Sequence, residues 1–196
     1  MDTPGLRERN KARRREAITR AAFRLFAERG YAATTIADIA AEAEVSPRTV
    51  TLYFATKQDL ALSRTAQSLT RLTTALRERP AGVSTLDEVA DWLGREITEA
   101  DELGVLEQRM FDANPELAAL RGIHYTEAVS EGTAALARDM SVAADDTRPR
   151  LAAAATVAVI VEAYKTPAGE ARDQALRSAF AFLTAGITRL SEPTGS

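Results

Sequence analysis

Residues 34–54 read TTIADIAAEAEVSPRTVTLYF, and this stretch decides the fold of the N-terminal part of the chain. It predicts two short helices with a tight corner between them. Three apolar residues at helical spacing form the inward face of the first helix: Ile36, Ile39 and Ala40. Ser46 and Pro47 then start the second helix, because Ser caps it and Pro needs no N–H partner there. Two helices joined in this way have the layout of a helix-turn-helix.

The second of these helices keeps polar residues on its outer side. We expect the exposed set to comprise Pro47, Arg48, Thr49, Thr51, Leu52 and Tyr53. A helix of this size fits the DNA major groove, which is about 12 Å wide. The Arg48 guanidinium can bind guanine or a phosphate, whereas Tyr53 and the Thr hydroxyls suit phosphate oxygens. The pattern therefore predicts a surface that contacts double-stranded DNA; an ordinary helical hairpin with a solvated face is the alternative.

Two further positions point to phosphate. Lys57 begins the helix that follows, where the helix dipole and the free N–H groups already favour an anion. A lysine there opposes the dipole, and it makes sense if a phosphate binds at that end. Thr35 caps the preceding helix and can form a second phosphate clamp. A solvent-facing lysine is the simpler alternative.

The rest of the chain also reads as helix, with no convincing run of alternating strand residues. Cap residues, prolines and glycines predict nine helices at about 7–29, 36–43, 47–53, 57–78, 86–99, 102–113, 115–141, 149–165 and 168–190. The pattern is that of an all-α protein with short turns.

Composition limits the possible classes of protein. The 196 residues include no cysteine, which excludes disulfides, thiolate metal sites and a cysteine nucleophile. The N-terminus has no apolar stretch typical of a secretory signal. The longest apolar run, residues 151–161, is far shorter than a membrane span. We expect a cytoplasmic protein that does not enter a membrane.

Charge is distributed unevenly along the chain. Residues 1–24 carry eight Lys or Arg against three Asp or Glu, whereas the whole chain has a net charge of −3. A basic end on an acidic protein is typical of local contact with a polyanion. A solvated, Arg-rich start of a helix is the alternative.

Residues 18–62 resemble the DNA-binding domain of the tetracycline-repressor (TetR) family. The matching segments are AAFRLFAERGYAATTIADIA, VSPRTV and YFATKQDL, in that order. The resemblance implies an all-α homodimer of about nine helices. It further implies a three-helix helix-turn-helix domain, 7–56, followed by a ligand-binding and dimerisation domain, 57–191. In such a protein a small-molecule effector releases repression.

The resemblance also implies a set of DNA contacts. Carried over position by position, they fall on Thr35, Ala37, Pro47, Arg48, Thr49, Thr51, Leu52, Tyr53 and Lys57. Thr51 stands where the family usually has Tyr, so an aromatic contact is lost or shortened. Glu44 stands where the turn usually has Gly, so either Glu44 is left-handed and strained or the turn differs. Ala37 cannot make the polar base contact that some members make.

The C-terminal two-thirds carries no pattern of catalytic or metal-binding residues. The single histidine, His124, has no Asp or Ser partner at triad-like spacing, and a structural or exposed role is the usual one for such a residue. We therefore predict that the protein is not an enzyme and needs neither a cofactor nor a metal.

The last two long helices carry more apolar surface than one protomer's core needs. Small side chains there allow close helix approach, which favours a four-helix bundle between two protomers. We expect the interface at Ala155, Val159, Ala179, Phe182 and Leu183. A core within one protomer is the alternative.

An effector cavity is expected among the remaining helices. Its candidate lining residues are Trp92, Met110, Phe111, Tyr125 and Tyr164, which are aromatic or soft side chains. Any of them can equally be ordinary core. The predicted function is a ligand-responsive transcriptional repressor that binds a palindromic DNA operator as a homodimer. The alternatives are an activator, a regulator controlled by a protein partner, and a helical small-molecule carrier that does not bind DNA.

Overall fold

The computed structural model describes residues 5–98, 102–166 and 169–191. This part of the chain contains ten α-helices and no strand, so the predicted all-α class is confirmed. The helices are α1 (Leu6–Arg29), α2 (Ile36–Glu42), α3 (Pro47–Tyr53), α4 (Lys57–Ala61), α5 (Ser63–Glu78), α6 (Thr85–Thr98), α7 (Glu102–Ala113), α8 (Pro115–Asp139), α9 (Thr147–Lys165) and α10 (Glu170–Ser191). The predicted ends at 99 and 168 lie outside the described residues. No described helix is both long and apolar enough to cross a membrane.

One predicted helix is divided in two. The segment expected as a single helix over 57–78 forms α4 and α5, with a break at Leu62 (φ −98°, ψ 6°). The Ser63 hydroxyl donates to the Leu60 carbonyl at 2.9 Å, an oxygen that a continuous helix would use for a backbone N–H. This local side-chain bond accompanies the break and accounts for ten helices instead of nine.

The chain forms two compact units. The N-terminal unit comprises Met1–Gln67 together with Ala100–Ile123, and the second comprises Ser68–Glu99 together with His124–Ser196. The predicted division into a DNA-binding domain, 7–56, and a ligand-binding and dimerisation domain, 57–191, concerns function, and it stays a prediction. The helix α8 contributes residues to both units.

The core of the N-terminal unit gathers buried side chains from α1, α2, α3, α4 and α7. Its fully buried members include Ile18, Phe23, Phe26, Ile39, Val50, Leu60 and Met110. These residues fix the position of the short helices α2 and α3, which have too few residues to be stable by themselves. The core of the second unit combines α5, α6, α8 and α9, with Leu72, Leu76, Trp92, Leu93 and Ile160 among its buried members.

Candidate nucleic-acid interface and ligand cavity

The helix α3 is anchored from below and exposed above. Val50 is completely buried, whereas Leu52 is 83% exposed. The Ser46 hydroxyl caps the helix by accepting from the Thr49 N–H at 3.0 Å, as predicted from the Ser-Pro pair. One short helix is thus held firmly while its outer residues remain accessible.

The corner between α2 and α3 contains the strained residue that the sequence left open. Glu44 has φ 52°, so it adopts the left-handed conformation, and the alternative of a different turn is wrong. The Val45 N–H donates to the Ala40 carbonyl at 2.9 Å, and the Glu44 N–H donates to the Ala41 carbonyl at 3.2 Å. This pattern is a Schellman motif, which normally has glycine at the position of Glu44.

The start of α2 is closed by a reciprocal cap. The Thr35 hydroxyl accepts from the Asp38 N–H at 3.1 Å, and the Asp38 carboxylate accepts from the Thr35 N–H at 2.8 Å. The hydroxyl also donates to that carboxylate at 2.6 Å. These bonds, first from the Thr35 side chain and then from its backbone, lower the pKa of Asp38. The Thr35 hydroxyl proton is therefore already donated to Asp38, and a phosphate that accepted it would have to displace the Asp38 carboxylate.

The predicted DNA-contacting residues differ in how accessible they are. Exposed members are Thr35, Ala37, Pro47, Arg48, Thr51 and Leu52, whereas Thr49, Tyr53 and Lys57 are half-buried. The Thr51 hydroxyl donates to the Arg48 carbonyl at 3.1 Å. Within the described residues the Arg48 guanidinium forms no hydrogen bond or ion pair, so its five N–H donors are open to a ligand.

Lys57 has a structural role that the sequence did not reveal. Its ammonium donates to the Tyr31 carbonyl at 2.7 Å and to the Thr34 carbonyl at 2.9 Å, and it lies 4.2 Å from the centre of the Tyr31 ring. These bonds tie the start of α4 to the turn between α1 and α2. They give a reason for a lysine at this position other than a bound phosphate. The phosphate contact stays a prediction.

Arg15 also supports α3, a role that the sequence pattern did not predict. Its guanidinium donates to the Tyr53 carbonyl at 3.1 Å and lies 4.2 Å from the centre of the Phe54 ring. A cation at the C-terminal end of a helix is favoured by the helix dipole. Arg15 therefore positions the last turn of α3 from the side of α1.

Asn114 is a second residue that the sequence pattern did not single out, and it is 2% exposed. Its amide nitrogen donates to the Phe26 carbonyl at 2.9 Å and to the Met110 carbonyl at 2.7 Å. Its amide oxygen accepts from the Tyr31 N–H at 2.6 Å. Asn114 thus joins the end of α1 to the end of α7. The Asn-Pro pair was interpreted only as a helix start, because sequence does not show contacts between residues more than 80 positions apart.

The second unit contains a partly open apolar cavity, with about 590 Å³ of atom-free space that includes its opening to solvent. Helices α5, α6, α8 and α9 line it, and no lining residue is charged. Of the residues expected at an effector site, Trp92 and Tyr125 line this cavity, and Tyr164 packs against the core of the second unit without lining the cavity; their contact with a ligand stays a prediction. Met110 and Phe111 do not line this cavity: both are buried in the core of the N-terminal unit, because that face of α7 packs against α1. The side chain of His124 lies outside the described residues.

The outer faces of α9 and α10 are partly apolar and exposed. Phe182 is 77% exposed and Leu151 60%. Ala155 is exposed, and Val159 and Ala179 are half-buried, which is compatible with the predicted interface. Leu183 is only 6% exposed and therefore offers little surface of its own to a partner. The interface stays a prediction.

A capped, outward-facing α3 behind a tight turn and a short α2 defines a helix-turn-helix protein. Residues 18–63 match the family described as bacterial regulatory proteins, tetR family. This match confirms the resemblance found for residues 18–62. The matching family is one of regulatory proteins and not of enzymes.

Relatives with regulatory descriptions share part of the chain. It is 39% identical over 87 residues to the HTH-type transcriptional regulator TcmR of Streptomyces glaucescens, covering 44% of this chain and 38% of TcmR. It is 39% identical over 110 residues to the HTH-type transcriptional repressor Rv3405c of Mycobacterium tuberculosis, covering 54% of this chain and 57% of Rv3405c. The matches therefore span little more than half the length of these relatives at most.

The whole fold has counterparts among solved structures. One is native NalD of Pseudomonas aeruginosa, the secondary repressor of the MexAB-OprM multidrug efflux pump. The two chains align with a TM-score of 0.66 at 20% sequence identity, over 89% of this chain and 97% of NalD. At this level of identity the likeness is one of fold.

Proposed function

We propose that the protein is a transcriptional repressor that binds an operator in double-stranded DNA as a homodimer and is released by a small apolar effector. The exposure of α3 carries this proposal. Its outer residues are accessible, its underside is fixed by Val50, and the Arg48 guanidinium has no partner in the part of the chain that the structure describes. An Arg with free donors at the exposed edge of a recognition helix suits a bidentate contact with guanine. The protein would act in the cytoplasm, where bacterial DNA lies.

The predicted contacts with DNA fall into two groups. Arg48, Pro47 and Leu52 are exposed and suited to base edges and thymine methyl groups. Thr35, Thr49, Thr51, Tyr53 and Lys57 suit phosphate oxygens, and Ala37 can make only van der Waals contact. Thr35 and Lys57 already have partners within the protein, so a phosphate there would share or replace existing hydrogen bonds.

The effector is proposed to bind in the cavity of the second unit. The lining is apolar except for Thr85, Thr156, the Trp92 indole and the Tyr125 hydroxyl. The Trp92 N–H already donates to the Ser68 carbonyl at 3.2 Å, and the Thr156 hydroxyl donates to Ala152. A neutral, mainly apolar ligand fits this lining, because a charged one would find no counter-ion there.

Release is proposed to follow from a shift between conformations. A ligand that fits the cavity better in one conformer weakens DNA binding by its difference in affinity for the two conformers. The helix α8 is the candidate carrier, because its later turns line the cavity through Tyr125, Ala128 and Val129, whereas its first turns belong to the N-terminal unit.

Dimerisation is proposed to use the outer faces of α9 and α10. Exposed Phe182, Leu151 and Ala155 are suited to pack against a second copy. Two copies of α3 in successive major grooves on one face of DNA need a separation of about 34–36 Å, and a symmetric dimer supplies a pair of such helices for a palindromic operator.

One experiment separates the repressor from the alternatives. The full chain is titrated against duplexes from the DNA flanking its own gene, at low salt, in a mobility-shift assay. Specific binding that an apolar compound abolishes supports the proposal. Specific binding that no compound affects favours control by a protein partner, and ligand binding without duplex binding favours a carrier.

Ligand binding has its own test in the same protein. The sequence contains one tryptophan, so fluorescence of Trp92 reports directly on the cavity. Gly132→Leu places a side chain into the lining, and we expect it to abolish the ligand-induced fluorescence change while duplex binding persists. Gly94→Leu is the matched control, because a Cβ atom added there meets no atom within 4 Å and Gly94 does not line the cavity.

A further inference from the structure

The first three turns of α1 are an exposed helix outside the core. Every residue from Leu6 to Ala17 is exposed, and burial begins at Ile18. Leu6 itself is 67% exposed. Half of the 24-residue helix therefore lacks the packing that normally keeps a helix folded.

This segment is strongly basic and poorly stabilised by itself. Residues 6–17 contain six Lys or Arg and two Glu. The N-cap, Gly5, offers no side-chain cap, and cations in the first turns oppose the helix dipole. Like charges four residues apart, such as Arg7 and Lys11, also repel. An anionic partner would offset the missing cap, the unfavourable interaction with the helix dipole and the repulsion between like charges.

The direction of the basic side chains follows from helix geometry. Alternating steps of four and three residues place three cations on one stripe with the buried apolar residues of the same helix: Arg7, Lys11 and Arg14 lie in line with Ile18, Ala21 and Leu25. Arg9 and Arg13 lie on the opposite side, in line with Arg20 and Arg24. The stripe that faces the core in the second half of α1 thus continues as a cationic stripe in the first half.

The Arg14 end of that stripe is the end next to α3 along the chain. Arg15, the neighbour of Arg14, donates to the carbonyl of Tyr53, the last residue of α3. Within the described residues, Arg7, Lys11 and Arg14 form no hydrogen bond or ion pair. By contrast, Arg20 pairs with Glu16 at 3.1 Å, and Arg24 pairs with Glu42 at 2.7 Å. Among the described residues, the three cations of the core-side stripe therefore keep their donors available to an external anion, unlike Arg20 and Arg24.

We propose that Arg7, Lys11 and Arg14 form a phosphate-binding surface for the DNA backbone outside the base pairs contacted by α3. The proposal rests on the proposed DNA-binding function and extends it. A helix lodged in the major groove has phosphates on both sides, and a cationic stripe that starts at the end of that helix meets the backbone beyond it. The surface adds affinity and salt dependence without adding sequence preference.

The test compares two double variants of the full chain that remove the same charge. Lys11→Gln with Arg14→Gln removes two cations from the core-side stripe, and Arg9→Gln with Arg13→Gln removes two from the opposite side. Duplex affinity is measured across a salt series. The core-side variant should lower the slope of log K against log salt by about two per protomer, at about 0.9 per phosphate, and the opposite variant should leave it unchanged. Hydroxyl-radical footprints of the core-side variant should lose only their outermost protected positions.

Equal slopes for the two double variants, or a footprint of unchanged length, would overturn the proposal, because a diffuse charge effect does not depend on the side of the helix. Failure of the unmodified chain to bind any duplex is a different result, since it removes the proposed function itself. All four substituted residues are exposed, and equal melting temperatures check that both variants are folded.

Discussion

At the scale of single residues, two positions bear a conformation that suits glycine. Glu44 and Ser141 both have φ 52°, and both follow the end of a helix. The Val142 N–H donates to Ala137 at 3.1 Å, which repeats at Ser141 the pattern seen at Glu44. The conformation of Glu44 was predictable because the tetR family usually has glycine at that position. That of Ser141 was not, since the resemblance does not extend to this part of the chain.

Replacing Glu44 by Gly should stabilise the N-terminal unit by about 1 kcal/mol, because it removes the left-handed penalty of a residue with a Cβ atom. Urea unfolding followed by circular dichroism measures the change. Glu44→Ala is the control, since it removes the same carboxylate but keeps the Cβ. A gain of equal size for Glu44→Ala would show that charge, and not backbone strain, is responsible.

Two measurements on one variant separate the structural role of Lys57 from its predicted phosphate contact. Lys57→Ala should lower the free energy of unfolding by about 1–3 kcal/mol, because the Tyr31 and Thr34 carbonyls lose a charged donor. If Lys57 also contacts phosphate, the salt slope of duplex binding falls by about one. Gln58→Ala, at the next half-buried position of α4, is the control for stability. Unchanged stability of Lys57→Ala contradicts the structural role, and an unchanged slope contradicts the phosphate contact.

At the scale of helices, features that depend on neighbouring residues were predicted well, whereas features that depend on distant contacts were not. Ser46-Pro47 and the Thr-x-x-Asp pairs located helix starts within one residue, because caps involve only neighbours along the chain. The break at Leu62 was not predicted, since the apolar pattern runs through it without interruption. Packing of α7 against α1 was not predictable either, and for that reason Met110 was assigned to a ligand site.

Asn114 is expected to stabilise the packing of α1 against α7. Asn114→Ala leaves the Tyr31 N–H and the carbonyls of Phe26 and Met110 without their partner, and it should destabilise the N-terminal unit by about 2–4 kcal/mol. Asp112→Ala, at an exposed position of α7, is the control and should change stability by at most about 0.5 kcal/mol. Similar losses for the two variants in urea unfolding would contradict this role.

At the scale of the whole molecule, the family resemblance predicted more than the composition did. It predicted the class of protein, which is confirmed, together with a dimer and a ligand site, which stay predictions. Charge and hydrophobicity predicted only a helical protein with a basic end. The division of the chain into compact units was not foreseen, because residues 100–123 join the N-terminal unit from a distance. Such an assignment depends on tertiary packing that short-range patterns do not encode.

The predicted dimer depends on the outer face of α9 and α10. Phe182→Glu, at a residue that is 77% exposed, should convert the protein to a monomer in sedimentation velocity experiments, because it places charge in an apolar contact. Val105→Glu introduces the same charge at a 47% exposed apolar position of α7 and should leave the dimer intact. A dimer that survives Phe182→Glu would place the interface elsewhere.

The central claim is that α3 contacts DNA bases, and base-pair discrimination by Arg48 tests it most directly. The affinity of the unmodified chain is measured for its best duplex and for single base-pair variants of that duplex, and the series is repeated with Arg48→Ala and with Arg150→Ala, an exposed control on α9. We predict that Arg48→Ala loses about 1–3 kcal/mol of discrimination at one base pair of each half-site, while Arg150→Ala loses none. Full discrimination by Arg48→Ala at every base pair would contradict the account.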